Sequence, residues 1–283
     1  MSAPSPHLID TPAGIRIATY SWGGTGQPVL LSHPTGFHGR IWAPVAGALI
    51  ATGQRVYSFD FRGHGDSDPS NDGYAWRNFA ADVTAVADHF DVAGSDDLIA
   101  AGHSKGAASL LLAELERPGM FRNIWAYEPI MFPQGTSPFP PGSDPLANGA
   151  RRRRNEWASI DEAFSAYSVK PPLNAMTTES LRAYVDYGLR DRGDGVWVLK
   201  CDPEHEAATY EGGAANGIFE RLHEINSLVR IAVGETTNSI PPKFAELIQS
   251  KLQHASLAVW QGRGHFGPQE DPQRCAAEIT MRL

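Results

Sequence analysis

The chain predicts an α/β fold: a mostly parallel, twisted sheet with helices on both faces, interrupted by an inserted helical lid. Three observations carry that expectation. Strand-length apolar runs alternate with helix-length amphipathic runs over the first 130 residues, and again over the last 60. Between these blocks a proline-rich stretch and a set of helical patterns break the rhythm. Finally, 283 residues with 42% apolar content suffice to bury a large core.

Ile15–Tyr20 alternates apolar and polar positions between Gly14 and Gly23, so it reads as a half-buried strand. Val29–Ser32 is a short apolar strand, and Ile41–Ala51 a helix with Pro44 in its first turn. Arg55–Phe59 is the next strand. Trp76, Phe79, Val83, Val86 and Phe90 recur at helical spacing, which predicts an amphipathic helix over Tyr74–Val92. Leu98–Ala101 is a buried strand, Ala107–Glu116 a helix stopped by Pro118-Gly119, and Ile124–Tyr127 a further strand. From Phe132 to about Gly149 prolines dominate. Helices are then expected at Asn155–Tyr167, Thr178–Leu189 and Gly217–Glu224. Strand and helix resume at Val229–Val233, Pro242–Lys251, Ser256–Trp260 and Pro272–Leu283. The expected division is a core of residues 1–132 and 225–283, with a helical lid over 133–224. No internal repeat is visible.

Composition removes several function classes. Lys and Arg number 24 against 32 Asp and Glu, a net charge of −8, which argues against a nucleic-acid footprint. Cys201 and Cys275 lie far apart and outside any C-x-x-C or Cys/His spacing, so they read as unpaired thiols in a reducing compartment. The first residues, MSAPSPHLID, lack the basic-then-apolar pattern of a signal peptide, and no run approaches the ~18 apolar residues of a membrane span. A cytoplasmic protein without a membrane partner is expected. Gly23-Gly24-x-Gly26 precedes a strand instead of a helix, so it is a turn and not a phosphate cradle. No metal or organic cofactor is implied. Oligomeric state is not readable.

The sharpest local signal is Gly102-His103-Ser104-Lys105-Gly106, which follows the strand LIAA and opens the helix AASLLLAELE. A G-x-S-x-G between strand and helix is the nucleophile elbow. Its tight turn lifts the serine Oγ above the sheet, and small residues two before and two after keep strand and helix apart. Of the ten histidines, His265 alone follows a strand, lies on a Gly-rich loop and precedes the last helix. Such a loop lets the ring move between nucleophile and leaving group, which suits a general base. His103 sits beside the serine, where adjacent side chains diverge, and reads as structural. His33, His38 and His64 read as loop packing.

With these pieces in order, nearly the whole chain resembles the α/β-hydrolase superfamily. His33-Pro34-Thr35-Gly36 looks like its H-G-x loop, Asp60-Phe61-Arg62-Gly63-His64-Gly65-Asp66-Ser67 like its D-x-R-G-x-G-x-S turn, and Gly262-Arg263-Gly264-His265-Phe266 like its G-x-G-H-F. The resemblance implies a serine nucleophile, Ser104, with His265 as base. It also implies an oxyanion hole from the N–H of Lys105 and a second N–H from the 33–36 loop. The usual glycine of H-G is Pro34 here, which has no N–H, so Thr35 is the second donor. The Asp60–Ser67 turn is expected to brace that loop.

The acid departs from the usual pattern. Most members place it three residues beyond a glycine after the seventh strand. In Val233-Gly234-Glu235-Thr236-Thr237 that position holds Thr237. Glu128 instead follows the sixth strand, Ile124–Tyr127, 24 residues after the serine. Some branches, zearalenone-type lactonases among them, use a glutamate there. Ser104, His265 and Glu128 are therefore the expected triad. Serine at position 104 argues against the alkyl-enzyme route that aspartate-nucleophile relatives follow, and leaves acyl transfer. The expected substrate is a small, partly apolar carboxylic ester or lactone. Hydrolysis of a C–C bond in a diketone-like substrate, and a slow-turnover ligand receptor of the same fold, remain alternatives. The run Arg151–Arg154 reads as a solvated face. Trp157, Phe164, Tyr167, Tyr184 and Tyr187 divide between lid packing and pocket lining.

Overall fold

A computed structural model describes residues 3–70, 72–136, 143–212 and 217–281. The chain opens with β1 (His7–Asp10), β2 (Arg16–Gly23) and β3 (Pro28–Ser32), then α1 (Ala43–Ala51), β4 (Arg55–Phe59) and α2 (Trp76–His89). Next come β5 (Ile99–His103), α3 (Lys105–Glu116) and β6 (Asn123–Tyr127). An insertion follows, with α4 (Pro145–Arg152), β7 (Glu156–Trp157), α5 (Ile160–Ser168), α6 (Thr178–Gly188), β8 (Leu189–Asp191), β9 (Trp197–Leu199), α7 (Pro203–Glu211) and α8 (Ile218–Arg221). The chain ends through β10 (Leu228–Gly234), α9 (Pro242–Lys251), β11 (Ala255–Trp260), α10 (Gly267–Glu270) and α11 (Pro272–Ile279).

Eight strands form one sheet in the order β1-β2-β4-β3-β5-β6-β10-β11. β1, β2 and β4 pair antiparallel, and every other pairing is parallel. The central strands are buried along their length because helices cover both faces, as a parallel sheet requires. Successive residues therefore feed opposite cores. Ile231 and Val233 pack with Phe79, Leu111 and Ile248, under α2, α3 and α9. Ala232 packs with Trp42, Leu49, Trp125, Trp260 and Ile279, under α1 and α11.

Register determines where the loops meet. Ser32 lies opposite Gly102, Gly102 opposite Ala126, and Tyr127 opposite both His103 and Ala232. Gly234 lies opposite Trp260. The carboxyl ends of β3, β5, β6, β10 and β11 thus reach one rim, where ligands bind in open α/β sheets.

The insertion is less helical than expected. A second, three-stranded sheet, β7-β9-β8, forms within it. The helix expected over Asn155–Tyr167 begins only at Ile160, because Ser159 Oγ caps the Glu162 N–H at 3.0 Å and Trp157 pairs with Trp197. α4 and α7 were not foreseen. Among apolar side chains α4 buries only Ala147 and Ala150, and the buried side of α7 includes Glu206 and Thr209, so neither shows an apolar stripe. Of the proline-rich stretch, residues 137–142 lie outside the described residues, as do the last two residues of the expected terminal helix. Both cysteines are free and buried.

Candidate active site

The elbow turns between β5 and α3. Ser104 has φ 55° and ψ −119°, a strained conformation for a residue with a Cβ. Its N–H donates to the Tyr127 carbonyl at 2.8 Å, which ties the turn to the neighbouring strand. The flanking glycines are required by packing. A Cβ on Gly102 would lie 2.6 Å from the Ala107 N, and one on Gly106 would collide with the Ser32 and His33 carbonyls. Contact at Gly106 also brings the start of α3 against the 33–36 loop. Lys105 is the first residue of α3, so its N–H belongs to the orphan donors of a helix N-terminus. Thr35 lies buried in the abutting loop.

His33 ties that loop to the Asp60–Ser67 turn. His33 Nε2 accepts the Phe61 N–H at 3.0 Å, so its Nδ1–H donates to the Pro34 carbonyl at 2.8 Å. The Asp60 carboxylate accepts the Gly39 N–H at 2.6 Å and the Asp66 N–H at 2.7 Å, and the Tyr20 hydroxyl at 2.6 Å. His64 donates from Nδ1 to the Arg62 carbonyl at 2.9 Å, and its Nε2 faces Lys105 Nζ at 3.3 Å. The Lys105 ammonium lies over the Phe61 and Phe79 rings, and burial pulls it down to about 7. Burial also holds His33 and His64 well below the ordinary imidazole range.

Glu128 is fully buried directly beyond β6, with φ 44°. Its N–H donates to the Ala232 carbonyl at 2.9 Å, and its side chain crosses to the end of β10. There Oε1 accepts the Gly234 N–H at 3.0 Å, while Oε2 accepts the Thr237 hydroxyl at 2.7 Å and lies 2.6 Å from His265 Nδ1. With the carboxylate oxygen as acceptor, this contact assigns the ring proton to Nδ1 and leaves Nε2 as the acceptor nitrogen. Glu235 lies elsewhere: its Oε2 accepts the Gly262 N–H at 2.9 Å. The His265 loop is fastened from below, where the Tyr127 hydroxyl donates to the Gly264 carbonyl at 2.7 Å and Thr236 Oγ1 to the Arg263 carbonyl at 2.9 Å.

His103 is fully buried, with its ring centroid 4.8 Å from that of His265 and 5.5 Å from that of Tyr127, and burial keeps it neutral. The Arg151–Arg154 run corrects the solvated-face reading in part. Arg151 and Arg154 are surface ion pairs with Glu204, Glu211 and Glu162, but Arg153 turns inward to Glu206 at 2.6 Å. Thr237 is the residue that sequence reasoning undervalued. Its hydroxyl donates to the Glu128 carboxylate, a contact that spacing along the chain does not predict. Among the described residues no group of three His, Cys, Asp or Glu is arranged to hold a metal, and no described helix is long and apolar enough to cross a membrane.

A profile described as the alpha/beta hydrolase family matches residues 29–278. The chain is similar to a non-heme chloroperoxidase of Kitasatospora aureofaciens, 29% identical with 91% of each chain covered. It is similar also to a non-heme chloroperoxidase of Streptomyces lividans, 30% identical with 91% of this chain and 92% of the other covered. Among solved structures, E-2-(acetamidomethylene)succinate hydrolase aligns at a TM-score of 0.78 and 18% identity over 98% of both chains, a likeness of fold. An elbow on β5, loops gathered at one sheet rim and a family match over most of the sequence have one reading: the chain belongs to the alpha/beta hydrolase family.

Proposed function

We propose that the protein hydrolyses a small, partly apolar carboxylic ester or lactone through an acyl-serine intermediate. Ser104 is the nucleophile, His265 the general base and Glu128 the acid. The observation that carries this reading is the Glu128 carboxylate held 2.6 Å from His265 Nδ1, at the rim where the elbow presents Ser104.

In this reading His265 Nε2 takes the Ser104 proton as Oγ attacks the carbonyl carbon. Negative charge grows on the carbonyl oxygen between the N–H groups of Lys105 and Thr35. His265 then gives its proton to the departing alcohol oxygen, or to the ring oxygen of a lactone. Water, deprotonated by the same imidazole, cleaves the acyl-serine and restores the hydroxyl. Glu128 stabilises the imidazolium formed in each half-reaction. Residues 133–224 act as a lid that shapes the acyl and alcohol pockets.

The test is labelling with an organophosphorus or sulfonyl fluoride reagent, followed by hydrolysis of p-nitrophenyl esters of graded length beside several lactones. The adduct is expected on the 102–106 peptide, with turnover of at least one ester class. An adduct elsewhere that abolishes activity would overturn the assignment.

A further inference from the structure

Four elements of the insertion converge on one buried charge. Arg153, the residue closing α4, donates from one nitrogen to Glu206 Oε2 on α7 at 2.6 Å. Its other terminal nitrogen donates to the Tyr184 hydroxyl on α6 at 2.6 Å and the Tyr167 hydroxyl on α5 at 3.2 Å. The pair is nearly dry, with 19% of the Arg153 side chain and 9% of that of Glu206 exposed. A buried ion pair adds little stability over apolar side chains of similar size, so stability does not account for it.

Its position does. The other carboxylate oxygen, Oε1, fills the space beside Gly36, where an added Cβ would lie 2.5 Å from it. Gly36 has φ +77° and follows Thr35 directly. The next two residues are held by the same hub. The Tyr184 ring packs on Phe37 at 4.8 Å between centroids, and His38 Nε2 lies 3.1 Å from the Tyr184 carbonyl. Every residue from 36 to 38 thus touches either Glu206 or Tyr184.

We propose that Arg153 and Glu206 form a positioning pair through which the insertion sets the oxyanion loop: the carboxylate braces Gly36 and so fixes the direction of the Thr35 N–H. The inference rests on the acyl-serine reading above. Neither side chain touches the reacting atoms, so both act through the loop. Misplacing a catalytic donor by a fraction of an ångström weakens the transition state far more than the ground state.

The test is the double variant Arg153→Met/Glu206→Gln, which removes the charges without stranding either one. It is assayed on the best p-nitrophenyl ester, with binding of a trifluoromethyl ketone that forms a tetrahedral adduct with serine. The expected result is a melting temperature within a few degrees of the parent and KM within about threefold. The fall in kcat should be about tenfold, with a parallel fall in ketone affinity. Unchanged kcat and ketone affinity in the folded variant would overturn the proposal and leave the pair a packing feature. Should the double variant fail to fold, Tyr184→Phe decides. It removes one acceptor from Arg153 and is expected to lower kcat about threefold at constant KM, and no change in either would overturn the proposal. Ser104→Ala separates the two layers: hydrolysis surviving in that variant defeats the acyl-serine reading itself, whatever the pair does.

Discussion

The core and the insertion hold their shapes by different means. At the sheet rim, backbone geometry decides. Ser104 sits at a positive φ, Gly102 and Gly106 leave no room for a Cβ, and strand register alone brings Tyr127 beside His103 and Ala232. The insertion buries apolar side chains such as Leu181, Val185 and Leu199, and is tied further by charged and aromatic pairs: Arg153 with Glu206, Tyr167 and Tyr184, Arg154 with Glu162, and Lys200 reaching Asp66 of the core at 2.6 Å. Chemistry tied to backbone turns admits few substitutions. A buried ion pair constrains in another way, because removing one member strands the charge of the other.

The largest expected effect comes from the most constrained point. Ser104→Ala is expected to lower kcat by about 10⁴-fold or more, with the melting temperature within a few degrees of the parent, because only a hydroxyl is lost. Circular dichroism melts beside ester kinetics check both halves. Loss of fold together with activity would mean that the elbow holds the core together through this side chain, and that the division drawn between chemistry and scaffold is false.

Glu128→Gln tests whether the rim's side-chain bonds are as exacting as its turns. The amide cannot hold Nδ1 protonated as a carboxylate does, so kcat should fall by roughly 10² to 10⁴. Glu235→Gln, at a side chain that braces Gly262, should cost less than about tenfold, or ~1.4 kcal/mol. The two variants are compared on one ester at pH 8. The opposite ranking would move the acid back to the end of β10.

The same division explains what could be read from the sequence. Residues 102–106 and 262–266 were legible because a glycine at a crowded or positive-φ position leaves a mark in the chain, and strand–turn–helix context surrounds the first of them. β3, β4, β5, β6 and β10 were legible because burial on both faces demands continuous apolar runs. The place of Glu128 directly beyond β6 was legible by counting one elbow, one helix and one strand from Ser104. α7 and the inward turn of Arg153 were not legible. A helix whose buried side includes Glu206 and Thr209 has no apolar period, and four consecutive arginines do not reveal which one faces a distant glutamate. Nor could Thr237 be assigned, since its partner stands 109 residues away in the chain.

Thr237 gives a smaller effect that sharpens the same contrast. Thr237→Val keeps the shape and removes the hydroxyl that donates to Glu128 Oε2. The buried carboxylate keeps the Gly234 N–H and His265 Nδ1, so kcat should fall only about three- to tenfold, with Thr237→Ser restoring most of it. Steady-state kinetics of the two variants check this. A loss in Thr237→Ser with none in Thr237→Val would show that the methyl group and not the hydroxyl matters.

The smallest expected effect lies where core and insertion meet, at Lys105. Its amine is buried with His64, Phe61 and Phe79. Asp60 and Asp82 of the core face it, as do Cys201 and Glu206 of the insertion, and burial outweighs these partners, lowering it to about 7 from an ordinary 10.5. Between pH 7 and 10.5 the unfolded chain holds a proton that the folded chain has released. Unfolding takes up that proton, so this group makes stability rise with pH across the window. Below pH 7 both states carry the charge and the full cost of burying it remains. Lys105→Met fills the same space without a charge and keeps the backbone N–H. It should therefore raise the melting temperature by a few degrees at pH 6, with a gain that narrows steadily toward pH 10.5. Calorimetric melts of parent and variant at pH 6, 8 and 10 measure the gap. A gap that stayed constant with pH would mean that the folded protein keeps the ammonium charged up to pH 10, with its acidic neighbours offsetting the cost of burial.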